Sequence, residues 1–104
     1  MMILVQMNFD FPIEMMGDAL TEGAKSLAES INQEPGFLSK IWIENSETAE
    51  SGGIYLFKDR ESAENYVAMH CARVEAMGAK NISVKYFSVN EPLSAINQFT
   101  VASK

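Results

Sequence analysis

Apolar and polar residues alternate from Met2 to Asp10. Ile3, Val5, Met7 and Phe9 fall on one side, and Leu4, Gln6, Asn8 and Asp10 on the other. A period of two predicts a strand, with Pro12 marking its exit. From Glu14 to Gln33 the period lengthens. Met16, Leu20, Ala24, Leu27 and Ile31 recur at helical spacing, while Asp18, Glu22, Lys25 and Glu29 take the wet side. This predicts an amphipathic helix, weakened locally by Gly17 and Gly23 and ended by Pro35-Gly36. Alternation returns over Phe37 to Glu44, with Phe37, Ser39, Ile41 and Ile43 opposite Leu38, Lys40, Trp42 and Glu44. The polar stretch Asn45 to Ser51 reads as a turn, and Gly52-Gly53 opens a third strand, Ile54 to Lys58. These two strands predict an antiparallel hairpin.

Asp59 is placed to cap a second helix over Arg60 to Met77, with Ala63, Tyr66, Val67, Val74 and Met77 as its apolar stripe and Gly78 just past its end. A fourth strand follows over Asn81 to Val89. Pro92 to Gln98 is expected to form a short helical turn, and residues 90–104 a C-terminal extension of a single domain covering residues 1–104.

The order strand, helix, strand, strand, helix, strand predicts a ferredoxin-like α+β domain, β-α-β-β-α-β, with both helices on one face of an antiparallel sheet. On the opposite face the pattern places Leu4, Leu38 and Trp42 beside Gln6, Asn8 and Lys40. Such a face is too apolar for water, so a homodimer is expected.

Composition narrows the function. The 104 residues suit one domain, with 47% hydrophobic and 21% charged residues. The net charge of -6 argues against a nucleic-acid or anionic-membrane partner. The apolar run Met1 to Val5 is too short for a signal peptide and reads as strand. A cytoplasmic location is the expectation. The single cysteine, Cys71, rules out an intrachain disulfide and suits a small apolar residue late in a helix.

His70 is the only histidine. It lies three residues after Val67 and four before Val74, inside the apolar stripe of the second helix. It reads as a core-edge histidine with one hydrogen bond, or as a pocket base or ligand kept neutral by burial. Trp42, Tyr55 and Tyr66 read as core or interface filler, or as walls of a pocket. Arg73, one turn after His70, reads as a solvated charge or a polar contact, and Asn8 likewise. The chain carries no dinucleotide fingerprint, no P-loop, no paired cysteines for zinc and no two-histidine carboxylate set. Oxidative chemistry would therefore use no cofactor, or a borrowed one such as haem.

Several segments together resemble the YdhR family, to which monooxygenase activity is ascribed. They are Ala28 to Leu38 (AESINQEPGFL) with Lys40 and Trp42, Gly52 to Phe57, His70-Cys71-Ala72-Arg73, and Val89 to Ser94 with Ile96-Asn97-Gln98. The resemblance covers nearly the whole chain. It implies a dimeric α/β barrel and a likeness to monooxygenases that oxidise polyphenols to quinones without metal or flavin. An electron-rich phenol is easier to oxidise as its anion, so the pocket must supply a proton acceptor and hydrogen bonds to an oxyanion. On that reading His70 is the base or orienter, Trp42, Tyr55 and Tyr66 are substrate walls, and Asn8 and Arg73 are polar contacts. The alternatives are a haem-degrading or haem-binding relative using Asn8 and His70, and a non-catalytic dimer that binds a small aromatic ligand.

Overall fold

The computed structural model describes residues 1–99. Four strands form one antiparallel sheet: β1 (Ile3–Asp10), β2 (Phe37–Asn45), β3 (Glu50–Phe57) and β4 (Lys80–Ser88), in the order β2-β3-β1-β4. Helices α1 (Asp18–Gly23), α2 (Lys25–Ile31) and α3 (Arg60–Ala76) complete the expected β-α-β-β-α-β order, and α4 (Glu91–Ile96) follows β4. Residues 100–104 of the expected C-terminal extension lie outside the described residues.

The core lies between α3 and the sheet face that carries Ile3, Val5, Met7, Tyr55 and Phe57. Val5, Met7 and Phe57 are completely buried, and side chains of this size contribute about 1.5–3 kcal/mol each when fully withdrawn from water. Helix α3 starts where the sequence predicts. The Asp59 side chain accepts a hydrogen bond from the Ser62 backbone N–H at 2.8 Å. Its buried residues are Ala63, Tyr66, Val67, His70 and Val74, the stripe read from the spacing, with Met77 packed half-buried beside them.

Three expectations need correction. The predicted first helix, Glu14 to Gln33, is broken into a 3-10 turn (Ile13–Met15), α1 and α2. Gly17 takes a positive φ of 64° before α1, and the chain kinks at Ala24, after Gly23. The stripe survives the break, because Met16, Leu20 and Leu27 still pack on the core. Strand β3 begins at Glu50 rather than at Ile54, so Gly52-Gly53 lies inside the strand instead of opening it. The turn shrinks to residues 46–49, where Asn45 Oδ1 accepts from the N–H groups of Glu47 and Thr48.

The third correction concerns β2. Phe37 pairs with Phe57, but Ser39 already pairs with Leu56, so the register shifts at Leu38. One extra residue flips the parity of everything after it. Lys40 and Trp42 pair with Tyr55 and Gly53 and face the helices, whereas Ile41 and Ile43 pair with Ile54 and Gly52 and face away. The open face is therefore built from Leu4, Gln6, Asn8, Ile41, Ile43, Ile54 and Phe87, without Trp42 or Lys40. It is still apolar, with Ile41 61% and Phe87 48% exposed.

Candidate active site

His70 projects from the middle of α3 onto Tyr55 of β3. Its ring is 1% exposed, stacks on Tyr66 with centroids 4.9 Å apart, and meets Tyr55 edge-on at 6.0 Å. Arg73, one helical turn on, approaches His70 Nδ1 with Nη2 at 3.2 Å. A guanidinium only donates, so Nδ1 is the acceptor and the ring proton sits on Nε2. Burial, with the charges of Lys40 and Arg73, pulls His70 down to about 3. The imidazole is therefore neutral at pH 7, with Nε2–H as its remaining donor.

Lys40 enters the same space from β2. Its Nζ sits 3.4 Å from the Trp42 ring centroid and 4.6 Å from that of Tyr55. The ring faces attract its ammonium form. Burial, and then Arg73, oppose it more strongly and bring Lys40 down to about 7. Burial also raises the hydroxyls of both tyrosines, Tyr66 to about 12 and Tyr55 further. The Tyr66 hydroxyl lies near Tyr55 and Arg73 but, among the described residues, makes no hydrogen bond of good geometry.

A small cavity of about 20 Å³ lies between these groups, lined by Lys40, Trp42, Tyr55 and His70 on the polar side and by Phe9, Phe11, Leu20 and Leu27 among others on the apolar side. That is room for about one water. Leu20 and Trp42 also line an outer pocket of about 230 Å³ against α1 and α2. Lys40 and Trp42 line a groove of about 410 Å³ between α2 and β2. The inner cavity and both outer spaces thus meet at Trp42.

Of the residues singled out in the sequence, His70, Trp42 and Tyr55 line one cavity, and Tyr66 and Arg73 stand directly behind His70. Asn8 is not among them. It pairs with Gly52 and Ser83 on the open face, across the sheet from His70, and its Oδ1 is buried without a partner among the described residues. Sequence reasoning misses Lys40 as a site residue. Its signal is a lysine two residues from the only tryptophan on a strand, but simple alternation puts it on the open face. The pairing of Asn8 with His70 that the haem reading uses does not form, because the sheet separates the two residues. Among the described residues, no group of three or more His, Cys, Asp or Glu could hold a metal ion. No helix among them is long and apolar enough to cross a membrane.

Fold and cavity together define a ferredoxin-like α+β domain with an aromatic pocket between sheet and helices. The family model described as "Putative mono-oxygenase ydhR" matches residues 4–100, and the chain belongs to that family. Two solved structures share the fold. A variant of SnoaB, a cofactor-independent oxygenase from Streptomyces nogalater, superposes with a TM-score of 0.61 at 14% identity, covering 86% of this chain and 93% of that one. Rv0793 from Mycobacterium tuberculosis superposes with a TM-score of 0.62 at 13% identity, covering 86% and 95%. Comparison with curated proteins gave no match.

Proposed function

We propose that the protein is a cofactor-independent monooxygenase acting on a small aromatic or hydroquinone-like compound in the His70 cavity. The family match over residues 4–100 carries this reading. The SnoaB fold and a cavity walled by Trp42 and Tyr55 support it. Such chemistry asks a protein for an apolar site, a route for the phenolic proton and donors to the oxyanion. Neutral His70, fixed by Arg73, supplies an Nε2–H donor. Arg73 acts through His70 and is a positioning residue.

The cavity must enlarge to admit a ring. The wall that gives way is α1, which contains no buried residue, follows Gly17 and ends on Gly23. Displacing Leu20 and Trp42 joins the inner cavity to the outer pocket. Purified protein stripped of metal and flavin is expected to consume oxygen with at least one member of a hydroquinone panel, and Trp42→Ala to alter which members react. An absence of uptake across the whole panel, with aromatic binding retained, would sink the enzyme reading in favour of a non-catalytic binder.

The open sheet face supports a homodimer in which a second copy covers Ile41, Phe87 and their neighbours. Sedimentation equilibrium at micromolar concentration is expected to give a dimer, and Ile41→Glu a monomer. A monomeric wild type at that concentration would remove the dimeric barrel.

A further inference from the structure

Lys40 is out of balance with its surroundings. The chain carries a net charge of -6, yet among the described residues no carboxylate pairs with this lysine. Glu44, on the same side of β2, accepts instead from the Gly17 backbone N–H at 2.6 Å. Glu29 of α2 shares the outer groove but is exposed and forms no ion pair with Lys40. The charged and titratable groups that do face Lys40 are Tyr55 from β3, and His70 and Arg73 from α3. All are neutral or cationic at pH 7. A half-buried amine surrounded this way lacks the anion that would justify its position.

The position is nonetheless built. Lys40 lies beside Gly53, where a Cβ would press against Lys40 Cε at 2.7 Å and the Tyr55 ring at 2.9 Å. The missing side chain at Gly53 leaves the berth that the lysine fills. Two aromatic faces hold the amine at the point where the inner cavity meets the outer groove.

We propose that Lys40 ionises an acidic hydroxyaromatic ligand in this cavity and stays beside the oxyanion as its counter-ion. The ligand O–H bond breaks, an Nζ–H bond forms on the neutral amine, and the electron pair remains on the ligand oxygen. Burial opposes either ion alone, but the attraction between the ammonium and an adjacent phenolate is stronger there than in water and offsets that cost. This rests on the reading of the cavity as an aromatic site but needs no reaction with oxygen.

The probe is 4-nitrophenol, which is electron-poor and shows its ionisation by colour. Bound to wild type at a pH below its solution pKa, it is expected to show the phenolate band, with an apparent pKa lowered by about one unit or more, a tenfold shift in its proton equilibrium. Lys40→Met should bind it without the band. Lys40→Arg keeps the charge but cannot accept a proton, so at about pH 8, where unliganded Lys40 is mainly the neutral amine, it should bind the phenolate while leaving more protons in weak buffer than wild type, whose Lys40 takes one up. The proposal is overturned if wild type binds only the neutral form or nothing, or if the band persists in Lys40→Met. Equal proton release by wild type and Lys40→Arg overturns the acceptor role. Oxygen uptake does not enter these readings, so failure here and failure of the monooxygenase reading are distinguishable.

Discussion

Gly52→Ala is expected to destabilise the protein by more than about 3 kcal/mol, a large part of the roughly 5–15 kcal/mol that holds a domain together. Gly52 lies in β3 between Asn8 of β1 and Ile43 of β2, at the centre of the sheet. A Cβ there would overlap the Met7 carbonyl oxygen and crowd Asn8 Cα. Both obstacles are backbone, and neither can rotate aside as a side chain can. The only relief is to spread β1 from β3, which opens the core between Met7 and Tyr55. Overpacking costs about 1–3 kcal/mol where side chains can yield, and more where the backbone must move. Gly23→Ala is the control. Nothing lies within 4 Å of a Cβ at Gly23, and alanine is the better helix former by roughly 0.5–1 kcal/mol. Urea unfolding followed by circular dichroism should show a midpoint for Gly52→Ala far below that of wild type and Gly23→Ala at or above wild-type stability. Equal midpoints for the two would refute the close approach of β1 and β3.

The contrast between these glycines marks where the sequence can be read and where it cannot. Helix α3 is legible because its burial follows one unbroken period, from Ala63 through Tyr66, Val67 and His70 to Val74. Nothing interrupts the 3.6-residue repeat, so the inward direction of His70 follows from its neighbours. Strand β1 is legible for the same reason at period two. Strand β2 is not. Its alternation is sound locally on each side of Leu38, but a single bulged residue exchanges the faces. Phe37 points to the core and so, beyond the bulge, do Lys40 and Trp42. No propensity marks a bulge at Leu38. It exists only in the pairing with β3, which is a tertiary fact. Gly52-Gly53 reads as the edge of a turn because glycine usually punctuates strands. Here both glycines are interior, one making room for the β1 backbone and the other for Lys40. The candidate site is therefore half visible: its α3 wall can be read directly, whereas the β2 wall depends on a register that local alternation does not reveal.

His70→Gln is expected to slow turnover by roughly 10²–10³-fold, the range for disturbing one donor to a developing oxyanion. It should also remove an acid-sensitive contribution to stability. His70 ordinarily titrates near 6.5, and in the folded protein it falls to about 3. Below pH 6.5 the unfolded chain binds a proton that the folded chain refuses. The unfolded state is then favoured increasingly as pH falls from 6.5 towards 3, by about 1.4 kcal/mol per pH unit. The stability associated with neutral His70 is fully present above pH 6.5. Glutamine keeps much of the ring's volume and a hydrogen-bonding partner for Arg73, and it does not titrate. Unfolding midpoints measured from about pH 7 to pH 4 should fall more steeply for wild type than for His70→Gln. Carboxylates titrate over part of this range, but they do so in both proteins and drop out of the difference. Parallel curves would mean that His70 reaches water and is not held neutral against Tyr66 and Arg73. A turnover defect without the change in slope would then assign the loss to a binding contact. Both effects together tie the reaction to a neutral imidazole whose Nδ1 is committed to Arg73, so that Nε2–H is the group left to meet the substrate.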